Sequence, residues 1–521
     1  MTVRAVVLDL LRAFGITTIF GNPGSTELPL FRDFPKDFRY ILGLQEAVVV
    51  GMADGYAQAT HNAAMVNLHS AAGVGHAMGN IFTAYRNRTP LIVIAGQQAR
   101  SILPYEPFLY STQATELPKP YVKWSCEPAR ADDVPAAVAR AYYLAMQPPR
   151  GPVLVSVPAD DWAKPCAQLE ARVVSNELRP DPRVLSAIGD ALDGSKHPAF
   201  VVGGAVDRDG AWHDVVRLAE RHNASVWVAP MSGRCSFPEE HRLFAGFLPP
   251  MREKIVKLLA GNDLVFALGA TAFTYHVEGS GPHLPSDAKL VQLIDDPNVA
   301  AWAPEGTSVV GSIRLGVLDL LARDPPRSRE APLSRVRPRR VEPSSPMLVG
   351  YVMQTLAELR DPASIVVEEA PSSRSAIQAH LPILRSETFY TMDSGGLGYS
   401  MPAAVGIALA KPDAKVIALI GDGSAMYSIQ ALWSAAQLEL PIAFVVLKNR
   451  RYAALQDFAP AFGFAPDERL PGTELPDIDF VALARGQGCV GSSVSRPEHL
   501  RDALASAIQA RVPTLVEVEI A

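Results

Sequence analysis

Short apolar runs recur along the chain, each bounded by turn-forming residues, with longer amphipathic stretches between them. From residue 1 to 165 the runs ITTIF, FRYILGL, AAMVNL, PLIVIAG and GPVLVSVP are continuous rather than alternating, the pattern of strands buried on both faces. EAVVVGMADGYAQAT, lying between two of them, reads as a helix, so strands and helices alternate and predict a parallel sheet covered on both sides. The opening MTVRAVVLDLLRAFG reads as an amphipathic helix because Asp9 and Arg12 interrupt its apolar positions. No cleavage site of small residues follows it, so no export signal is expected.

The pattern lapses from Trp162 to about Arg183 and resumes with PAFVVGGA, ASVWVAP, DLVFALGA and KLVQLID, a second α/β unit that runs to about Leu321. Neither VVGGAVDRDG nor ALGATAF is a GxGxxG turn opening a helix, so this unit carries no dinucleotide fingerprint and flavin binding is not expected. RDPPRSREAPLSRVRPRRVEPSSP is too rich in proline to pack as a helix and reads as an extended, solvated linker. A third unit follows, with strands SIVVEEA, KVIALIGDG, PIAFVVLKN and PTLVEVEI and helices near YSMPAAVGIALA and HLRDALASAIQARV. The expected domains are 1–165, 184–322 and 347–521, with the linker at 323–346.

The 521 residues allow about three domains at roughly 100–200 residues each. Subtracting 54 acidic from 48 basic side chains leaves −6, which argues against nucleic acid as a partner and favours a small-molecule ligand. Cys126, Cys166, Cys235 and Cys489 form no CxxC pair, so neither a disulfide framework nor a zinc site is indicated and a reducing cytoplasm fits. No apolar run approaches the roughly 18 residues of a membrane span, so no membrane association is expected.

The densest chemistry lies in KVIALIGDGSAMYSIQALWSAAQLELPIAFVVLKN. Glycines at the carboxyl end of an apolar strand let backbone N–H groups approach an anion, and a following helix N-terminus adds favourable partial charge, so a diphosphate would fit. Asp422 and Asn449 end neighbouring strands. With a backbone carbonyl near Arg451 and diphosphate oxygens they would complete an octahedral magnesium shell. Glu46 begins a helix directly after a strand, which on its own would be ordinary dipole electrostatics. Ser25, in the turn Gly-Asn-Pro-Gly-Ser, would on its own be a helix cap.

Together, GDGS followed by KN and LQEAVVVGMADGYA resemble the thiamine-diphosphate-dependent 2-oxo acid decarboxylase family over essentially the whole chain. FGNPGSTELP, NLHSAAGVGHAMGN, PLIVIAGQQ, GGLGYSMPAA and IGDGSAMYSIQALW resemble its branch acting on aryl 2-oxo acids such as benzoylformate. The resemblance implies an α/β protein of three doubly wound parallel-sheet domains: pyrimidine-binding, middle and diphosphate-binding. It implies thiamine diphosphate with Mg2+ or Ca2+ as cofactors, and non-oxidative decarboxylation to the aldehyde and CO2 through an enamine, with carboligation as a side reaction. Glu46 would activate the cofactor through its aminopyrimidine ring, Ser25 would contact the substrate carboxylate, and His69 and His276 would be the general acids and bases. Leu397 would hold the cofactor bent, with Gly395, Gly423, Ser424 and Tyr452 as further contacts, and Asp422, Asn449 and Arg451 would hold the metal. A homo-oligomer, commonly a tetramer built as a dimer of dimers, is implied, with each cofactor held between two chains.

The substrate pocket implied by the resemblance comprises Phe108, Leu109, Pro371, Thr391, Ala454, Leu455 and Phe458. Phe108 stands where a leucine is expected, Thr391 where a phenylalanine is, and Pro371 where a threonine is, so pocket shape and polarity differ from the branch pattern. Lys448, Arg450 and His76 also depart from it: His76 replaces an asparagine, and the other two add cations near the expected diphosphate. Aliphatic 2-oxo acids as substrates, a flavin-assisted oxidase or an acetolactate-type synthase are the alternatives.

Overall fold

The computed structural model describes residues 1–465 and 468–521. Three six-stranded sheets follow one another along the chain, and every pairing within them is parallel. The first holds β1 (Thr18–Asn22), β2 (Arg39–Leu42), β3 (Ala64–Leu68), β4 (Leu91–Gln97), β5 (Ser125–Cys126) and β6 (Val153–Pro158) in the order β2-β1-β3-β4-β6-β5. The second holds β7 (Pro198–Val202), β8 (Ser225–Val228), β9 (Phe244–Phe247), β10 (Leu264–Leu268), β11 (Lys289–Ile294) and β12 (Thr307–Val310) in the order β12-β11-β10-β7-β8-β9. The third holds β13 (Ile365–Glu369), β14 (Phe389–Tyr390), β15 (Val416–Gly421), β16 (Ala443–Lys448), β17 (Val490–Val494) and β18 (Thr514–Glu519) in the order β14-β13-β15-β16-β18-β17.

The first and third sheets thus share one topology, and in each the order reverses between the first and third strands, where open α/β sheets place their ligands. The second sheet has the strand order of the doubly wound dinucleotide-binding fold, reversing between β7 and β10. The central strands are buried along their length, which is why they read as continuous apolar runs.

Five strands, β5, β9, β12, β14 and β17, carry no apolar run strong enough to mark them in the sequence, and each is a sheet edge. They are two to five residues long, and β12 and β17 each have a single buried residue. An edge strand is held by one neighbour and needs little apolar surface. Two other expectations change. The turn after β7 does open a helix, Gly204–Arg208, though of only five residues. The helix after β15 is broken into Asp422–Ala425 and Ala431–Gln437, so only a single turn follows the GDG segment and its dipole contribution is small.

Residues 323–346 form no helix or strand, but arginines among them are anchored rather than solvated. Arg329 donates to the carbonyls of Leu192 and Asp193, and Arg335 lies 5.3 Å over the Phe244 ring.

The first and third units meet through the helices Glu46–Thr60 and Ser400–Ala410, and one hydrophobic core runs through both. Glycines make this approach possible: a Cβ on Gly55 would lie 2.2 Å from the Ala403 carbonyl oxygen, and one on Gly406 would lie 1.9 Å from that of Met52. His61 Nε2 lies 2.6 Å from Glu387 of the third unit, whose backbone N–H donates to Asp207 of the second at 3.1 Å.

Candidate active site

The site residues fall into two groups and a connecting loop. In the first unit, β1 ends in the Asn22–Ser25 turn, β2 runs up to the start of the helix Glu46–Thr60, and β3 ends at His69, the N-cap residue of the helix Ser70–Asn87. Parallel register therefore brings three carboxyl ends together, and Gly24 packs so closely on His69 that a Cβ there would lie 2.3 Å from the imidazole. Ser25 is exposed beside them.

Glu27 is a further member of this group that motif reading did not find. Its carboxylate, 1% exposed, accepts from Gly24 N at 2.8 Å and Thr26 Oγ1 at 2.7 Å, and lies 2.9 Å from His69 Nδ1. With Nδ1–H donating to that carboxylate, Nε2 is left as the outward-facing nitrogen. The only signal in the sequence is the spacing of a capping box, a glutamate three residues after the turn glycine. Ser70 and Leu109 both have left-handed backbone, φ 53° and 61°, and the Ser70 hydroxyl donates to the Leu109 carbonyl, so two strained residues border His69. Phe108, next to them, is 86% exposed. Glu46 lies over Gly73, and its Oε2 is 3.1 Å from His76 Nδ1.

The second group gathers where β15 and β16 end. Asp422 is 3% exposed; Oδ1 accepts from Gly423 N at 2.8 Å and Oδ2 from Arg450 N at 2.6 Å. Burial pushes its pKa up against these backbone bonds, and among the described residues no cationic side chain pairs with it. Asn449 Oδ1 accepts from Arg451 N at 3.2 Å. Lys448 and Arg450, the two added cations, are held by β18: Lys448 Nζ lies 3.0 Å from Glu517 and Arg450 Nη2 lies 2.6 Å from Glu519. Arg450 has φ 60°, a conformation that favours glycine. Gly423 accommodates the Tyr452 ring, which a Cβ would approach to 2.3 Å, and Ser424 is buried beside it.

The helix Ala453–Phe458 carries Ala454, Leu455 and Phe458 and packs against the turn Pro371–Ser373. His276, from the second unit, stacks on Phe458 with ring centroids 4.5 Å apart, so it joins this group and not the one around His69. Thr391 is 3% exposed and its hydroxyl accepts from Arg374 Nη2 at 2.8 Å, while Arg374 also bonds Glu368 at 2.6 Å. Its polarity is therefore absorbed by a neighbouring ion pair.

The loop Gly395–Gly398 connects the groups: Asn80 Nδ2 donates to Gly398 O at 3.2 Å, and Leu397 packs on the core shared by the first and third units. The loop is pinned by Glu369, fully buried at the end of β13, which accepts from the backbone N–H groups of Gly398, Tyr399 and Ser400 at 2.6, 2.8 and 2.7 Å. Burial pushes the Glu369 pKa up to about 7 despite these bonds.

The oxygens of Asp422, Asn449 and the Arg451 carbonyl are hard donors suited to a divalent ion, and the buried Asp422 carboxylate needs a positive partner. Among the described residues no cluster of three His, Cys, Asp or Glu side chains is poised to cage a metal, so a bound ligand would have to supply further oxygens. The donor set thus fits a metal–diphosphate pair. None of the described helices is long and apolar enough to cross a membrane.

Comparison with known proteins gives the same assignment. The chain matches the N-terminal TPP binding domain of thiamine pyrophosphate enzymes over residues 1–116, their central domain over 185–321 and their C-terminal TPP binding domain over 372–518. It is 44% identical to a benzoylformate decarboxylase of Pseudomonas aeruginosa, over 99% of this chain and 98% of that one. Solved structures similar to it include the benzoylformate decarboxylase of Polynucleobacter necessarius, with TM-score 0.97 and 39% identity over 100% of this chain and 98% of that one. The thiamine diphosphate-dependent 4-hydroxybenzoylformate decarboxylase of Rhodococcus jostii RHA1 has TM-score 0.95 and 39% identity, over 100% and 99% of the two chains. With two TPP-binding units flanking a central one, and identity of this extent along the whole chain, the protein belongs to the thiamine diphosphate-dependent 2-oxo acid decarboxylase family.

Proposed function

We propose that the protein decarboxylates an aryl 2-oxo acid of the benzoylformate class to the aldehyde and CO2 without oxidation, using thiamine diphosphate and Mg2+. The observation that carries this reading is the buried, unneutralised Asp422 carboxylate beside Asn449 at two adjacent strand ends, in a chain 44% identical to a benzoylformate decarboxylase. When bound, the cofactor supplies the nucleophilic carbon and the electron sink for decarboxylation.

The chain's own residues bind, orient and move protons. Asp422, Asn449 and the Arg451 carbonyl hold the metal, with Gly423, Ser424 and Tyr452 beside the diphosphate. Gly395 and Leu397 shape the cofactor seat, with Glu369 fixing their loop. Glu46 exchanges a hydrogen bond with the aminopyrimidine. Ser25 would bind the substrate carboxylate, and Nε2 of His69, oriented by Glu27, would give a proton to the ketone oxygen and take it back as the aldehyde leaves, with His276 as the second proton donor. Phe108, Leu109, Pro371, Thr391, Ala454, Leu455 and Phe458 surround the substrate, and the exposed Leu455 and half-buried Phe458 offer the apolar surface an aryl group needs. The same site can join two carbonyl compounds when an aldehyde takes the second position.

The His69 and Asp422 groups would be completed by a second copy. Phe108, Leu28, Leu455 and Phe462 are 86%, 63%, 56% and 72% exposed and lie on or near them, apolar surface of the kind an interface covers. We assign a tetramer built as a dimer of dimers, in the cytoplasm.

The test is CO2 release from benzoylformate, phenylpyruvate, pyruvate and a branched 2-oxo acid, with and without thiamine diphosphate and Mg2+. Benzoylformate turning over fastest, only with both cofactors, is expected; pyruvate fastest, or no reaction, overturns the reading. The flavin-assisted alternative predicts yellow protein.

A further inference from the structure

Glu46 stands at the start of its helix with its carboxyl 15% exposed, and among the described residues His76 is the one side chain that bonds it. Gly73 and His76 are three residues apart on the helix Ser70–Asn87 and so share a face. A Cβ on Gly73 would lie 3.6 Å from both Cγ and Oε1 of Glu46, ordinary contact, while His76 Nδ1 lies 3.1 Å from Oε2. The helix therefore supplies a floor under the glutamate and one anchor at its tip. A carboxyl with a single packed side would otherwise rotate about its last bond, exchanging its two oxygens. With Nδ1–H donating to Oε2, the plane is set and Oε1 is the oxygen left free. The imidazole itself is 64% exposed and among the described residues pairs with no other side chain, so packing does not explain its position.

We propose that His76 is a positioning residue for Glu46: it occupies Oε2 and so presents Oε1 to the cofactor. This rests on the role given to Glu46 above. The asparagine expected at this position also carries an N–H donor, so what the reaction needs from residue 76 is a hydrogen bond to one glutamate oxygen, and alanine cannot provide it.

The test compares His76→Ala, His76→Asn and Glu46→Gln holoenzymes by three measurements: hydrogen–deuterium exchange at C2 of bound thiamine diphosphate, cofactor dissociation constant, and melting temperature. In His76→Ala the exchange rate should fall about 10- to 100-fold, the scale of a misplaced reacting group. Affinity and melting temperature should stay near those of the parent, because Asp422, Asn449 and Gly423 are assigned to holding the cofactor and the imidazole's one side-chain bond among the described residues is to Glu46. His76→Asn should recover most of the exchange rate. Parent-like exchange in His76→Ala overturns the proposal, as does His76→Asn exchanging as slowly as His76→Ala. Glu46→Gln separates the two failures: if it too exchanges at the parent rate, the role of Glu46 itself is wrong; if it alone is slow, only the role of His76 is.

Discussion

At the scale of single residues, the functional groups are held by short hydrogen bonds to groups that do no chemistry themselves. Glu46→Gln keeps the shape but removes the exchangeable acid, so turnover should fall by about 10²- to 10⁴-fold with an unchanged circular dichroism spectrum. Glu27→Gln should reduce turnover through His69. Its carboxylate accepts three bonds while almost fully buried, so the amide should also destabilise the protein by about 1–3 kcal/mol, seen in chemical denaturation. The two residues differ in legibility. Glu46 falls in a motif that continuous sequence preserves, whereas Glu27 acquires its meaning only from His69, which reaches it from another strand end. Lys448 and Arg450 show the converse: in sequence they read as two added cations near the diphosphate, and in the structure Glu517 and Glu519 neutralise them.

At the scale of elements, the contact between the helices Glu46–Thr60 and Ser400–Ala410 depends on the missing side chain of Gly406. Gly406→Ala would place a methyl carbon 1.9 Å from a backbone oxygen, which cannot swing away as a side chain can. Destabilisation of about 1–3 kcal/mol or more is expected, with cofactor affinity falling alongside because Glu46 begins one of the two helices. Glu369 gives a pH test of the loop it pins. Its folded-state pKa of about 7 lies above the ordinary 4.5, so the folded protein binds the extra proton between those values. Stability from this group is present below pH 4.5, falls as pH rises through about 7, and is level beyond. Melting temperature against pH should therefore slope downward across that window in the parent relative to Glu369→Gln; equal slopes would refute the assignment.

For the whole molecule, cofactor and assembly should be linked. Thiamine diphosphate with Mg2+ at 100 times its dissociation constant should stabilise the protein by about 2.7 kcal/mol, read as a higher melting temperature, and chelation should reverse the gain. Phe108→Asp puts a charge on a ring that is 86% exposed in the single chain. If a second copy covers it, sedimentation should show a shift to smaller species and weaker cofactor binding; an unchanged species distribution would place the interface elsewhere.

The amino-acid sequence by itself determined the three parallel α/β units and the strand ends that carry Asp422, Asn449 and His69, because burial of a central strand on both faces writes itself locally as a continuous apolar run. Tertiary structure decided five of the six edge strands, the seat of His276 on Phe458, the Glu27–His69 and Glu46–His76 bonds, and the close glycine contact between the helices. Each of these joins residues on separate elements, and which atoms meet depends on how sheets and helices stack, a property that no short stretch of chain encodes.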